Sequence, residues 1–330
     1  MCNQDLILGI DTSNYKTSLA LTSYSGEIVI DSRKSLVVKQ GERGLRQSHA
    51  LFQHMENLPE MIETLLQQVK KERIGAIAVS DRPRPVEGSY MPVFKAGIQF
   101  GRVLASCLNV PIFEFSHQEG HLEAVKHGSS LEHEKEYLAY HLSGGTCELL
   151  LVKGASVEII GSSKDISFGQ VIDRIGVALQ MDFPAGMEMD KLALLAKKSQ
   201  SQNSLNCGIR SSEFKLKRIP LDGLSINLSG LETECQRKLE HLNSENKGNF
   251  IYELFQIISI CLCQLTEKAV LETNCSKILF SGGVSSSIFI REEIMKYFTE
   301  KKVDLVFGNP VLSSDNAVGI SFLGGKKLWQ

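Results

Sequence analysis

The stretch SHQEGHLEA (116–124) sets two histidines, His117 and His121, four residues apart. At that spacing two imidazoles share one face of a helix, so both can turn a nitrogen toward one metal ion. The plainer reading is a pair of histidines on an ordinary helix surface. The intervening glutamate narrows the chemistry. A zinc-peptidase helix carries its general-base glutamate directly after the first histidine. Glu119 stands two residues after His117, on roughly the opposite side of a helix. It suits instead a capping box opened by Ser116, in which the glutamate helps to start the helix. The pattern therefore ranks a protease last, and makes the helix start the device that would present both histidines.

Three turns carry a second kind of chemistry. GIDTSNYKTSLAL (9–21) runs from a strand through Asp11, Thr12, Ser13 and Asn14 into another strand. HLSGGTCELLLV (141–152) repeats the design with Ser143, Gly144, Gly145 and Thr146. LFSGGVSSS (279–287) leads from a strand into a helix through Gly282 and Gly283. Glycines let successive N–H groups point into one space, and hydroxyls add donors, so such turns can cradle a phosphate or nucleotide. A single one is most simply a tight turn. Three in order along the chain favour nucleotide binding.

The elements that would position these residues are legible from periodicity. LILGID, KTSLALTS and EIVIDSRKSL read as strands. HALFQHMENLPEMIETLLQQVKK has helical spacing and ends in lysines suited to a helix C-terminus. IGAIAVS and VPIFEF read as strands, with the helix VFKAGIQFGRVLASCLN between them. The polar stretch KHGSSLEHEKE (126–136) is the expected lobe junction, giving lobes at 1–130 and 131–330. The second half restarts the theme: a hairpin at EYLAYHLSGGTCELLLVKG, a helix at GQVIDRIGVALQM, a long apolar helix at IYELFQIISICLCQLTEKAVLET, then KILFSGGVSSS leading into SIFIREEIMKYFTEK. This duplication suggests two related α/β lobes with a ligand between them.

Composition sets bounds on partners. The chain has 330 residues, 42% hydrophobic and 22% charged, with a formal net charge of −2. That is globular composition without a broad basic surface, although a local patch can still bind nucleic acid. No run reaches the roughly 20 apolar residues expected of a membrane span, and MCNQDLILGID lacks the basic start of a signal peptide. Eight cysteines without a CxxC pair suggest reduced thiols and a cytoplasmic setting. Arg82 and Arg84, beside prolines, could touch RNA phosphate, but a solvated loop is the simpler reading.

The ordered set resembles the actin-like ATPase superfamily, and more narrowly the tRNA N6-adenosine threonylcarbamoyltransferases, formerly called O-sialoglycoprotein endopeptidases. LGIDTSNYKTSLAL is similar to that family's opening loop, HQEGHLEA to its histidine motif and LSGGTCELL to its second loop. FGQVIDRIGVALQMDFPAGMEMDKLA (168–193) resembles its nucleoside-binding segment, INLSGLETECQRKL (226–239) its SGLKT region, and SGGVSSS and SSDNAVGIS (313–321) its adenosine loop and closing aspartate motif. The resemblance covers nearly the whole chain. It implies a two-lobe actin-like fold built from duplicated ribonuclease H-like halves.

It also implies a site. His117, His121 and Asp315 would hold one divalent metal ion, with iron or zinc better suited than magnesium to such ligands. Asp173 would bind ribose, with Gly186 and Asp190 beside the same nucleoside. Ser143, Gly144 and Gly145 match the family's second-loop contacts, and Gly282, Gly283 and Ser287 fall in its adenosine loop. Ser13, Lys16 and Thr146 are further candidates for the nucleotide, with Lys16 adding positive charge near phosphate as the loop lysine of actin-like ATPases does. On the residues alone, Asp173 could be a solvated helix residue and Asp190 the cap of a helix beginning KLALLAKK. The implied activity is transfer of a threonylcarbamoyl group from threonylcarbamoyl-adenylate to N6 of a tRNA adenosine, with tRNA and a related subunit or second copy as partners, and neither a membrane nor DNA. No residue stands out as a general base.

The departures point to a diverged member. Tyr15 and Lys16 stand where the family has two acidic residues. Thr146 replaces a histidine, Gln170 a glutamate and Ser287 an asparagine. Of a pair of aspartates only Asp165 remains, followed by Ile166, and a Gly-Pro-Gly stretch has become SDRPRPVEGS (80–89). Two alternatives follow: a nucleotide-binding scaffold or regulatory partner without transfer activity, or a carbamoyltransferase or kinase acting on another acceptor.

Overall fold

The computed structural model describes residues 4–13, 15–38, 45–154, 156–204, 214–243 and 246–329. The chain forms two compact units, Met1–Ser129 with Asn309–Gln330, and Ser130–Gly308. The first opens with β1 (Leu6–Thr12), β2 (Lys16–Ser23) and β3 (Ile28–Ser35), followed by α1 (Gln47–Gln68), β4 (Ile74–Arg82), α2 (Phe94–Leu108), β5 (Ile112–Ser116) and α3 (His117–Lys126). The sheet order is β3-β2-β1-β4-β5. β1, β2 and β3 are antiparallel, and β4 and β5 extend the sheet in parallel. α1 ends before the lysines expected to close it, and its last turn holds no basic residue.

β1 is buried along its whole length. Its alternate side chains go to opposite layers. Leu6, Leu8 and Ile10 pack with Leu58, Ile62 and Leu65 of α1 and with Phe94 of α2. Ile7 joins Ala76, Ala78 and Ile320 on the other face. A strand covered on both sides reads as a continuous apolar run, as LILGI does.

The second unit contains β6 (Glu136–Leu142), β7 (Cys147–Lys153), β8 (Ser156–Ser162), α4 (Phe168–Ala178) and α5 (Gly186–Ser204). A short hairpin follows, β9 (Leu221–Asp222) and β10 (Ser225–Ile226), then α6 (Ser229–Leu239), α7 (Lys247–Thr273), β11 (Lys277–Ser281), α8 (Ile288–Phe298) and β12 (Asp304–Phe307). Its sheet order, β12-β11-β6-β7-β8, repeats the first: three antiparallel strands flanked by two parallel ones. Two such units give the duplicated, actin-like α/β architecture that the repeated hairpins imply.

α7 corrects one expectation. It is 27 residues long with a mean hydropathy of 1.5 over its most apolar window, enough by length and composition to cross a membrane. That window is 61% buried within the protein. Phe250, Ile251, Leu254, Phe255, Ile258 and Leu262 lie in the core of the second unit.

The remaining helices, α9 (Pro310–Ser313) and α10 (Val318–Trp329), belong to the first unit. The sequence reading carried the second lobe through to residue 330. The return has a packing cause. Ala317, Val318, Ile320 and Phe322 are buried, and they cover the face of the first sheet that α1 and α2 leave open. Small residues set how closely α10 lies. A Cβ on Gly9 would stand 2.5 Å from the Ala317 carbonyl oxygen. The closest approach is between α3 and α10, where a Cβ on Gly319 would collide with the Gly120 carbonyl oxygen and lie 2.7 Å from the Ala124 nitrogen.

Both clashes are with backbone, so neither can be relieved by rotating a side chain. Gly319→Ala is expected to destabilise the protein by about 1–3 kcal/mol, the usual range for overpacking. Urea unfolding should show a lower midpoint at an unchanged slope. An unaltered midpoint would mean that the two helices do not touch in this way.

Candidate metal centre and nucleotide-binding loops

α3 begins with the capping box that its sequence implies. Ser116 Oγ accepts the Glu119 N–H at 3.2 Å, and Glu119 Oε2 accepts the Ser116 N–H at 2.7 Å and its hydroxyl at 2.6 Å. Glu119 Oε2 also lies 3.8 Å from Arg82, whose guanidinium donates to both oxygens of Asp81 at 2.7 Å. The glutamate is thus engaged in holding the helix start, which removes the peptidase reading on geometry.

One turn of α3 brings the two histidines together. Their Nε2 atoms face each other at 2.9 Å. Asp315, just ahead of α10, sets Oδ1 3.3 Å from His121 Nε2 and 3.6 Å from His117 Nε2. One ligand atom from each of the three residues lies within 4.8 Å of the others. Two imidazole nitrogens and a carboxylate oxygen, all converging on one point, fit a divalent ion of the zinc or iron type better than magnesium, which prefers oxygen ligands.

The sequence reading gave no role to Asp11. It lies inside β1, fully buried, and its Oδ1 accepts from His117 Nδ1 at 3.0 Å. That contact fixes the ring and leaves Nε2 for the cluster, the usual arrangement around a metal-binding histidine. The sequence carried a usable signal: an aspartate within a continuous buried run must find a partner.

The charges are mutually dependent. Burial opposes ionisation of Asp11 and Asp315, but their histidine partners outweigh it and hold both carboxyls below the ordinary range. Burial likewise opposes charge on His117, yet Asp11 and Asp315 raise its pKa to about 10. Burial and the charged His117 together push His121 down.

The other expected site residues fall into two groups. Ser13 and Lys16 belong to the first unit, as do His117, His121 and Asp315. Ser13 is buried, and its hydroxyl has no hydrogen-bond partner among the described residues. Lys16 Nζ donates to Ser314 Oγ at 3.1 Å, one residue before Asp315. Arg33 Nη1 donates to the same hydroxyl at 3.1 Å.

Ser143, Gly144, Gly145, Thr146, Asp173, Gly186, Asp190, Gly282, Gly283 and Ser287 all lie in the second unit. The second loop is partly self-bonded. Ser143 Oγ accepts from the N–H groups of Gly145 at 3.3 Å and Thr146 at 3.0 Å. Asp173 is half-buried, and burial raises its pKa although it accepts the Ala185 N–H at 2.9 Å, at the start of α5. Asp190 does not cap its own helix, which begins four residues earlier, at Gly186. Its carboxylate accepts instead from the Ser287 hydroxyl at 2.5 Å, Ile288 N at 3.0 Å and Phe289 N at 3.1 Å, so it caps α8. Gly282 holds φ at +92°, and a Cβ there would collide with the Leu142 carbonyl, so the third loop needs a glycine at that position. A Cβ on Gly283 would meet nothing within 4 Å.

Comparison with known proteins gives a consistent answer. The sequence model described as TsaD, tRNA N6-adenosine threonylcarbamoyltransferase, matches residues 27–322. The tRNA N6-adenosine threonylcarbamoyltransferase of Neorickettsia sennetsu is 26% identical over 335 residues, covering 99% of this chain and 94% of that protein. A probable bifunctional tRNA threonylcarbamoyladenosine biosynthesis protein of Methanocaldococcus jannaschii is 24% identical, over 97% of this chain and 55% of that one. Among solved structures, HypF of T. kodakarensis superposes with a TM-score of 0.62 at 14% identity. The match covers 98% of this chain and only about half, 48%, of HypF, and at that identity it bears on the fold alone. The agreement of the family model with full-length relatives establishes that this chain belongs to the tRNA N6-adenosine threonylcarbamoyltransferase family, a family of acyltransferases.

Proposed function

We propose that this chain transfers a threonylcarbamoyl group from threonylcarbamoyl-adenylate to N6 of a tRNA adenosine, with a divalent ion held by His117, His121 and Asp315. The observation that carries the metal part is the convergence of those three ligand atoms, backed by the buried Asp11 on His117. A divalent ion bound there supplies positive charge to phosphate oxygens and can polarise the mixed anhydride. Ser13 and Lys16 bind phosphate, and the ammonium of Lys16 neutralises part of its charge. Ser143, Gly144, Gly145 and Thr146 form a second phosphate-binding turn. Asp173, Gly186, Asp190, Gly282, Gly283 and Ser287 shape the nucleoside site, in which Asp190 and Ser287 act by fixing the start of α8. In the transfer the adenosine amine forms a bond to the carbamoyl carbon, the bond to the phosphate oxygen breaks, AMP leaves, and the amine proton passes to solvent. The reading includes tRNA as acceptor, a related subunit or second copy as partner, and a cytoplasmic setting in keeping with free thiols such as the exposed Cys107.

A second reading is a diverged nucleotide-binding partner without transfer activity. Lys16 on Ser314 favours it, because a cation now stands in the first loop beside a metal ligand.

Two measurements test the leading proposal. Metal analysis of the purified protein should find about one zinc or iron per chain, lost in His121→Ala. Asp11→Asn, which leaves every ligand atom in place, should weaken metal affinity about 10–100-fold; unchanged affinity would remove the positioning role. Activity is read by incubating metal-loaded protein with synthetic threonylcarbamoyl-adenylate and unmodified tRNA, then digesting and detecting the modified nucleoside by mass spectrometry. Product that disappears in His117→Ala supports transfer. Adenylate binding without product, even with candidate partner subunits added, supports the second reading and rejects the first.

A further inference from the structure

α1 presents a mainly apolar buried face to the first sheet, through Ala50, Leu58, Met61, Ile62 and Leu65, and two polar residues, His54 and Asn57, interrupt it. The His54 imidazole is fully buried, and both ring nitrogens are used. Nε2 lies 2.7 Å from the Ser13 carbonyl oxygen, and Nδ1 lies 2.9 Å from Thr17 Oγ1. A carbonyl can only accept, so Nε2 carries the proton. Asn57 Nδ2 donates to Thr17 Oγ1 at 3.1 Å, which leaves the Thr17 hydroxyl proton free to bond Nδ1. The three contacts are then consistent with Nε2 as donor to Ser13 and Nδ1 as acceptor from Thr17. Burial pushes the histidine pKa down, in keeping with a neutral ring.

Both partners of His54 flank the turn between β1 and β2. Ser13 offers a buried hydroxyl with no partner among the described residues, and Lys16 reaches Ser314 beside Asp315. A polar histidine in a core is costly unless its bonds do something. Here they all go to the backbone and side chain that bracket one short loop.

We infer that His54 is a positioning residue for the reaction: as the Nε2–H tautomer it grips the Ser13 carbonyl and the Thr17 hydroxyl, and so sets Ser13 and Lys16 for the phosphate of the acyl-adenylate. This rests on the reading that the first loop binds phosphate. Among the described residues the hydrogen bonds of His54 go to Ser13 and Thr17 and not to His117, His121 or Asp315, so its role is to hold the loop.

The test uses the full chain, loaded with zinc, and a non-hydrolysable threonylcarbamoyl-adenylate analogue as probe in calorimetry. His54→Phe should raise the Kd of the analogue at least tenfold while zinc content stays at the wild-type level. His54→Gln, whose terminal amide can reach the Nε2 position and donate to Ser13, should recover most of the affinity. Thr17→Val, which removes the other bond, should also raise the Kd and serves if His54→Phe does not fold. Nitrogen-15 spectra of the wild-type ring should show a neutral, Nε2-protonated imidazole. Wild-type Kd in folded His54→Phe, or in Thr17→Val where His54→Phe fails to fold, overturns the inference, as does a ring protonated on Nδ1 alone. Lys16→Ala and Ser13→Ala separate the two levels. If either weakens the analogue while His54→Phe does not, the loop binds phosphate and His54 has no part in it. If neither does, the phosphate reading of the loop fails and takes the inference with it.

Discussion

The candidate metal centre depends on how closely two helices approach. His117 and His121 are brought together by one turn of α3, but Asp315 is far away in sequence and reaches them only because α10 lies against α3. The contact is glycine on glycine: Gly120 sits between the two histidines, and Gly319 four residues after Asp315. A Cβ on Gly319 would press on the Gly120 carbonyl and force the two backbones apart, whereas a Cβ on Gly120 would meet the Ile320 side chain at 2.7 Å. Two other interactions hold the same seam. Asn316 Oδ1 accepts the Val318 N–H at 2.9 Å and starts α10, and Lys326 is paired with the nearly buried Glu123 of α3 at 2.5 Å. The chemistry of the cluster is thus set by backbone packing before any ligand is considered.

The second constraint is electrostatic. Two carboxylates and two imidazoles share a site with little water, and they cannot all hold their ordinary protonation states. The asymmetry between the histidines follows from their neighbours. His117 has Asp11 on one nitrogen and Asp315 near the other, so it takes the positive charge, and its charge then disfavours a second one on His121. A buried carboxylate inside a central strand is tolerable only with such a partner. Asp11 therefore links the strand core to the helix that carries the two histidines.

These two constraints explain what the sequence could disclose. Hydrophobic period and turn residues located the strands and most helices, because each is decided within a dozen neighbouring residues. The capping box at Ser116 was legible for the same reason: its donors and acceptors lie three residues apart. The duplication was legible from the repeated hairpin. What was not legible is long-range. The return of 309–330 to the first unit is decided by which sheet face lacks a cover. Asp190 was open to reading as a local cap, yet it caps a helix almost a hundred residues later, because cap geometry does not require sequence proximity. α7 was legible as a long apolar helix, but a run of consecutive apolar residues understates its hydropathy, which as an average over its most apolar window reaches 1.5 despite the polar residues between.

The lysine of the first loop shows how local and long-range reasoning combine. From sequence it is a cation where the resemblance implied acids, which says nothing of its partners. In the fold, Arg33 is balanced by Asp31, with Nε 2.8 Å from one carboxylate oxygen. Lys16 has a neutral hydroxyl for a partner, and among the described residues no carboxylate pairs with it. A half-buried ammonium held only by a hydroxyl retains most of its attraction for an incoming anion, and that attraction grows as water is displaced. A phosphate approaching the first loop would therefore meet a charge that the protein has not already neutralised, next to the residue that presents Asp315. Under the proposed function, such a cation strengthens phosphate binding in the ground state. It lowers the transfer barrier only in so far as negative charge builds on the departing phosphate oxygen. Which of those two effects dominates separates an acyltransferase from a nucleotide-binding partner that keeps its ligand.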